Sequence, residues 1–114
     1  QNKVIEKLYQ EYELILRDAH QAVDAWGGTI YLVFLQSKQK YTSWQHDLSY
    51  AKQRERVFSI ADKIGIKIID TTPIFDAHPD PLSLFQGHYT PEGYNIVGNL
   101  VLQTLANEGR TVTE

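Results

Sequence analysis

Apolar residues punctuate the start of the chain at alternating steps of three and four: Ile5, Leu8, Tyr12, Ile15, Ala19, Ala22 and Trp26. A helix gathers such positions onto one side, because side chains three and four apart are neighbours on its surface. The spacing predicts an amphipathic helix from near Asn2 to Ala25, stopped by Gly27-Gly28. The period then changes. "TIYLVFL", Thr29 to Leu35, is a nearly unbroken apolar run rich in β-branched and aromatic residues, the pattern of a parallel strand buried on both faces. A polar loop, "QSKQKYTSWQHD", follows and carries the exposed-looking aromatics Tyr41 and Trp44. A second helix is predicted from about Leu48 to Ile64, with Ala51, Val57, Phe58, Ala61 and Ile64 on one side and Gly65 at its end.

"IKIID", Ile66 to Asp70, has the composition of a second strand. "TTPIFDAHPDPLSLFQG" holds three of the four prolines and reads as a long irregular segment. Pro91 to Asn107 then reads as a helix, with Ile96, Val97, Leu100, Val101 and Leu105 facing a core. Helices alternating with strands imply an α/β fold with parallel pairing and right-handed crossovers. Each strand of a parallel sheet needs neighbours and cover on both faces, so further strands are expected, from upstream or from another copy. The alternative is a small two-stranded α/β module. An open parallel edge also predicts self-association.

With 114 residues the chain is one domain or part of one. Its basic residues are scattered and its net charge is -3, which leaves no nucleic-acid footprint. No window approaches the roughly 20 apolar residues that span a bilayer. Cysteine is absent, which excludes disulfides, thiolate metal sites and a cysteine nucleophile without fixing a compartment. Methionine is absent even at position 1, so the expectation is a chain excised from a longer one.

The most pointed stretch is "FQGHYTPEGYNIVGN", Phe85 to Asn99. Thr90 suits a helix N-cap and Pro91 the first helical position. Gly87 permits a left-handed backbone just ahead of His88. The histidine is thus held on a constrained turn near the positive end of a helix dipole, a setting that suits a neutral general base. The loop also follows the carboxyl end of a strand, where open α/β sheets bind their ligands.

"GHYTPEGYNIVGNLVLQTL" resembles the final block of the SGNH (GDSL-like) hydrolase superfamily, where a loop bearing an acid and a histidine precedes a helix opening in Asn/Thr-Pro-Glu-Gly. "IYLVFLQSKQKY" resembles that group's strand and Ser-Lys loop, and "FSIADKIGIKIIDTTPIF" its helix and a strand ending in Ile-Asp-x-Thr-Pro-x-Phe. The similarity runs from about Thr29 onward, towards the branch of polysaccharide O-acetyltransferase-like and esterase-like members. It implies a three-layer, flavodoxin-like parallel sheet with helices on both faces, residues 1–114 being the C-terminal part of a single SGNH-hydrolase-like domain.

That chemistry uses a serine nucleophile, a histidine base, an acid that orients the histidine, and oxyanion donors. Residue by residue, only the histidine carries over, to His88 as general base. The acid normally sits two or three residues earlier, where this chain has Gln86 and Phe85, neither able to ionise. Gln86 could accept a hydrogen bond from the ring and fix its tautomer. Asp76 and Asp80 are the nearest upstream carboxylates.

No Gly-Asp-Ser or Gly-x-Ser-x-Gly occurs, and Ser37, Ser43, Ser49, Ser59 and Ser83 lie in contexts without a strained elbow. In the family the serine block lies well upstream. The resemblance therefore implies the C-terminal piece of an acyl-ester hydrolase or O-acyltransferase, inactive alone, whose parent is a serine esterase or O-acetyltransferase. Its substrate would be an acyl ester or carbohydrate, with no cofactor and no metal.

The reading from a different class is a non-catalytic carbohydrate- or protein-binding module on the same scaffold. It would use the aromatic loop and the sheet edge. Tyr41 and Trp44 could there form a platform for a sugar ring. Asp76, His78, Asp80 and His88 have no recognised metal-ligand spacing. His20 and His46 read as surface or boundary residues, and Lys52 to Arg56 as a solvated helix face.

Overall fold

In the computed structural model the described residues, 2–109, form a mixed α/β protein that is mostly helical. In chain order its elements are α1 (Asn2–Ala25), β1 (Tyr31–Phe34), a 3-10 turn (Lys38–Tyr41), α2 (Trp44–Ile64), β2 (Lys67–Asp70) and the short α3 (Thr72–Asp76). A second 3-10 turn (Pro81–Leu84), β3 (Phe85–Gln86), β4 (His88–Tyr89) and α4 (Pro91–Asn107) complete it. β1 and β2 make a two-stranded parallel sheet, and β3 and β4 an antiparallel hairpin. The chain divides into two compact units, Gln1–Leu32 with Arg54–Ile68, and Val33–Gln53 with Ile69–Glu114.

The first unit is built on Leu16, Ile60, Ala61 and Ile66, with Tyr9, Tyr12, Ile30, Leu32, Ile64 and Ile68 packed round them. The buried face of α1 therefore runs through Tyr9, Tyr12 and Leu16. This corrects the predicted stripe, since Ile5, Leu8, Ile15 and Trp26 stay exposed. The cause is an apolar arc wider than one packing contact. Val4, Leu8 and Ile15 form one flank and Tyr9, Tyr12 and Leu16 the next, both at helical spacing, and the second flank packs with Ile60 and Ala61.

Charged residues frame this core. Both terminal nitrogens of Arg56, Nη1 and Nη2, donate to the Glu6 carboxylate at 2.6 Å, and the guanidinium lies 4.6 Å over the Tyr9 ring. Glu13 accepts from Arg17 at 2.8 Å and from Lys63 at 3.1 Å. Solvent screens these pairs, so they orient the helices more than they stabilise them.

In the second unit Phe75, Leu84 and Thr71 are fully buried, joined by Ile69 and Gln36. The buried polar groups pair with one another. The Thr71 hydroxyl donates to the Phe34 carbonyl at 2.7 Å, which leaves its oxygen to accept from Gln36 Nε2 at 3.2 Å. The same amide nitrogen donates to Thr72 Oγ1 at 2.9 Å. Gln36 Oε1 is buried without a hydrogen-bond partner.

Three readings of this region change. β1 is half-buried along its whole length rather than enclosed on both faces. α2 starts at Trp44, not near Leu48, because Ser43 Oγ accepts from the His46 N–H at 3.2 Å and caps it early. The segment expected to be irregular contains α3, a 3-10 turn and the β3–β4 hairpin. α4 spans the predicted Pro91–Asn107, with Thr90 Oγ1 accepting from Gly93 N at 3.2 Å. Ile96, Val97, Leu100, Val101 and Leu105 are half-buried along it. Among the described residues no helix is long and apolar enough to cross a membrane.

Candidate functional site

The histidine singled out in the sequence sits on the hairpin. Phe85 faces Tyr89 and Gln86 faces His88 across it, with Gly87 alone at the turn. Gly87 has φ +73°, a left-handed backbone that costs a side-chain-bearing residue but not glycine. A Cβ there would meet nothing within 4 Å, so the demand is conformational and not steric.

Directly opposed residues of an antiparallel pair share a face. The inner face of the hairpin is aromatic. Phe85 and Tyr89 stand 5.2 Å apart between ring centroids, and Phe75 lies 5.9 and 5.5 Å from them. Tyr94 meets Tyr89 edge-on at 5.6 Å. The Tyr89 hydroxyl donates to the carbonyl of Gln36, and burial pushes the phenol above the ordinary tyrosine range, so it remains a donor. The outer face carries Gln86 and His88, both exposed.

His88 makes no side-chain hydrogen bond or ion pair among the described residues. It lines a cavity of about 380 Å³ with Leu35, Gln36, Ser37, Lys38 and Tyr94. Gln86 is its cross-strand partner, so the residue at the family's acid position lies on the same ribbon face. Its amide oxygen is of a type that can accept an imidazole N–H.

The other residues weighed from the sequence go elsewhere. Asp76 accepts from Lys40 Nζ at 2.6 Å and from the Tyr41 hydroxyl at 2.8 Å. The Asp80 N–H donates to His78 Nδ1 at 3.0 Å, so the proton of that ring is on Nε2, 3.0 Å from Glu92 Oε2. Neither Asp76 nor Asp80 contacts His88 among the described residues. Among them, too, no group of three or more His, Cys, Asp or Glu is disposed to hold a metal ion.

Sequence reasoning missed the company of His88. Ser37 and Lys38 lie just past the carboxyl end of β1, the position where open α/β sheets place ligand contacts, and that was the available signal. Ser37 Oγ accepts from the Gln39 N–H at 3.4 Å and caps the first 3-10 turn.

A second cavity of about 520 Å³ is lined by Lys40, Tyr41, Ser43, Trp44, Asp47 and Asp76. Lys40 Nζ lies 2.6 Å from Asp76, 3.4 Å from Asp47 and 4.5 Å from the Tyr41 ring centroid. Tyr41 is half-buried, with Phe85 at 6.2 Å, whereas Trp44 is 72% exposed. Burial, then the hydrogen bond to Asp76, hold the Tyr41 phenol well above the ordinary tyrosine range.

No family model, no curated protein and no solved structure matches the chain.

Proposed function

We propose that this chain is the histidine-bearing, C-terminal part of an SGNH-type acyl-ester hydrolase or O-acyltransferase, with His88 as general base. The observation that carries the reading is an exposed imidazole, free of intramolecular partners among the described residues, on the wall of a cavity of about 380 Å³. The hairpin that holds it is locked on its other face by aromatic packing and by Tyr89. In this reading β1 and β2 are two strands of a three-layer, flavodoxin-like parallel sheet, and a serine block outside these residues supplies the nucleophile.

The reaction would run as acyl transfer does elsewhere. His88 takes the serine proton as the hydroxyl adds to the ester carbonyl, and the tetrahedral oxyanion collapses as the protonated ring gives its proton to the departing alkoxide. Water, or a sugar hydroxyl in a transferase, then repeats the sequence on the acyl-serine. Gln86 can hold the tautomer but carries no charge to stabilise the imidazolium. In a serine-protease triad the matching neutralisation costs about four orders of magnitude in rate.

Gln86, with the absent Gly-Asp-Ser, also supports a second reading, a non-catalytic binding module on the same scaffold. Hydrolysis of p-nitrophenyl acetate separates the two. Residues 1–114 alone should give no enzymatic turnover, while the longer polypeptide with its serine block should, and His88→Ala should lower that by ~10³-fold or more. Equal rates for wild type and His88→Ala would remove His88 as base. Turnover by the 114 residues that disappears in Ser37→Ala would make Ser37 the nucleophile and overturn the proposal.

A further inference from the structure

We propose that the cavity between Trp44 and Asp76 is a carbohydrate-binding site that takes a neutral pyranose ring. The inference does not rest on the hydrolase reading: none of these residues lines the cavity of His88.

The ligand class follows from what the walls offer. Trp44 presents an indole that is 72% exposed, a broad apolar face on which the C–H side of a sugar ring can lie. Opposite chemistry is supplied by carboxylates. Asp76 uses Oδ1 for both Lys40 and Tyr41, and Asp47 uses Oδ1 for Lys40. The second oxygen of each has no partner among the described residues and is an acceptor for a hydroxyl proton.

Charge and desolvation narrow the ligand class. Two carboxylates against one ammonium leave a net negative wall, which repels an anionic ligand. A cationic ligand would meet the Lys40 ammonium already seated 2.6 Å from Asp76 and 3.4 Å from Asp47, and would compete with it for the same two carboxylates. A wholly apolar ligand would strip water from the carboxylates and return no hydrogen bond. A neutral polyol satisfies both walls: its ring carbons cover the indole, and its hydroxyls donate to Asp47 and Asp76.

The volume of about 520 Å³ suits one or two sugar rings rather than a long buried chain. Lys40 and Tyr41 act as positioning residues. Both hydrogen-bond Asp76 Oδ1 and so hold that carboxylate before any ligand arrives, which lowers the entropy lost on binding.

The test uses the 114-residue chain carrying Trp26→Phe, so that Trp44 is the sole indole reporter. Maltohexaose, cellohexaose and N-acetylchitohexaose are titrated while tryptophan emission is followed, with calorimetry in parallel. At least one neutral oligosaccharide should produce a saturable shift. Trp44→Ala should weaken that binding, read by calorimetry, by roughly tenfold or more. Trp44→Phe should retain part of it, and Asp76→Asn should lower affinity with the circular dichroism spectrum unchanged. Oligogalacturonate, the anionic probe, should not bind. The proposal fails if a folded chain responds to none of the three neutral probes, if affinity is the same in Trp44→Ala, or if oligogalacturonate alone binds.

Discussion

Gly93→Ala measures how closely the start of α4 is seated on the hairpin that carries His88. A methyl group at Gly93 would stand 2.7 Å from the Leu84 carbonyl oxygen and 3.1 Å from Tyr89 Cβ, where ordinary contact begins at 3.4 Å. The Leu84 carbonyl cannot swing aside freely, because it accepts the Thr90 N–H at 2.9 Å. Relief therefore requires α4 and the hairpin to separate, and overpacking of this kind costs about 1–3 kcal/mol. Alanine's intrinsic helical advantage returns at most about 1 kcal/mol, less in a first turn. The net expectation is a loss of about 1–2 kcal/mol.

Gly98 supplies the control. It lies in the same helix, is exposed, and a Cβ there meets nothing within 4 Å. Gly98→Ala should therefore stabilise by about 0.5–1 kcal/mol. One chemical change at two positions of one helix should move the urea midpoint in opposite directions, at unchanged denaturant slope. If Gly93→Ala is as stable as the wild type, or both substitutions shift the midpoint the same way, the close seating of α4 is wrong.

Two further predictions concern pH. The Tyr41 phenol is raised in the folded state by burial and by Asp76, so its contribution is complete below the ordinary tyrosine value near ~10 and is lost as pH climbs above it. Tyr41→Phe should flatten the alkaline limb of a stability–pH curve, and ultraviolet titration should show one phenol ionising after the others. Glu13 is depressed, by Arg17 first and then Lys63, so its contribution is present above the ordinary glutamate value near ~4.3 and falls away as pH drops through its folded value. Glu13→Gln should blunt the acid limb; an unchanged limb would mean that solvent has already dissolved both ion pairs.

What was legible in the sequence was what local chemistry decides. Thr90 and Pro91 announce α4, and Gly65 ends α2, because caps and breakers act within a turn. The phase of α1 was not legible: two apolar flanks compete, and Ile60 and Ala61, far along the chain, choose between them. The β3–β4 hairpin escaped because strands of two residues carry no readable period. His88 and Gln86 stood out through Gly87 and the helix start. Their meeting with Ser37 and Lys38 did not, since it runs through Tyr89 and Gln36, 53 positions apart. Trp44 is open as its loop suggested, but Lys40, Phe85 and Asp76 cover Tyr41.

The tie from the Tyr89 hydroxyl to the Gln36 carbonyl has a mechanical consequence. It ties the residue after His88 to the one before Ser37, so the two walls of that crevice are joined directly by a hydrogen bond. Prising them apart would break the tie and unstack Tyr89 from Phe75 and Phe85 together. Widening the crevice on that side is thus coupled to loosening the aromatic cluster beneath the hairpin.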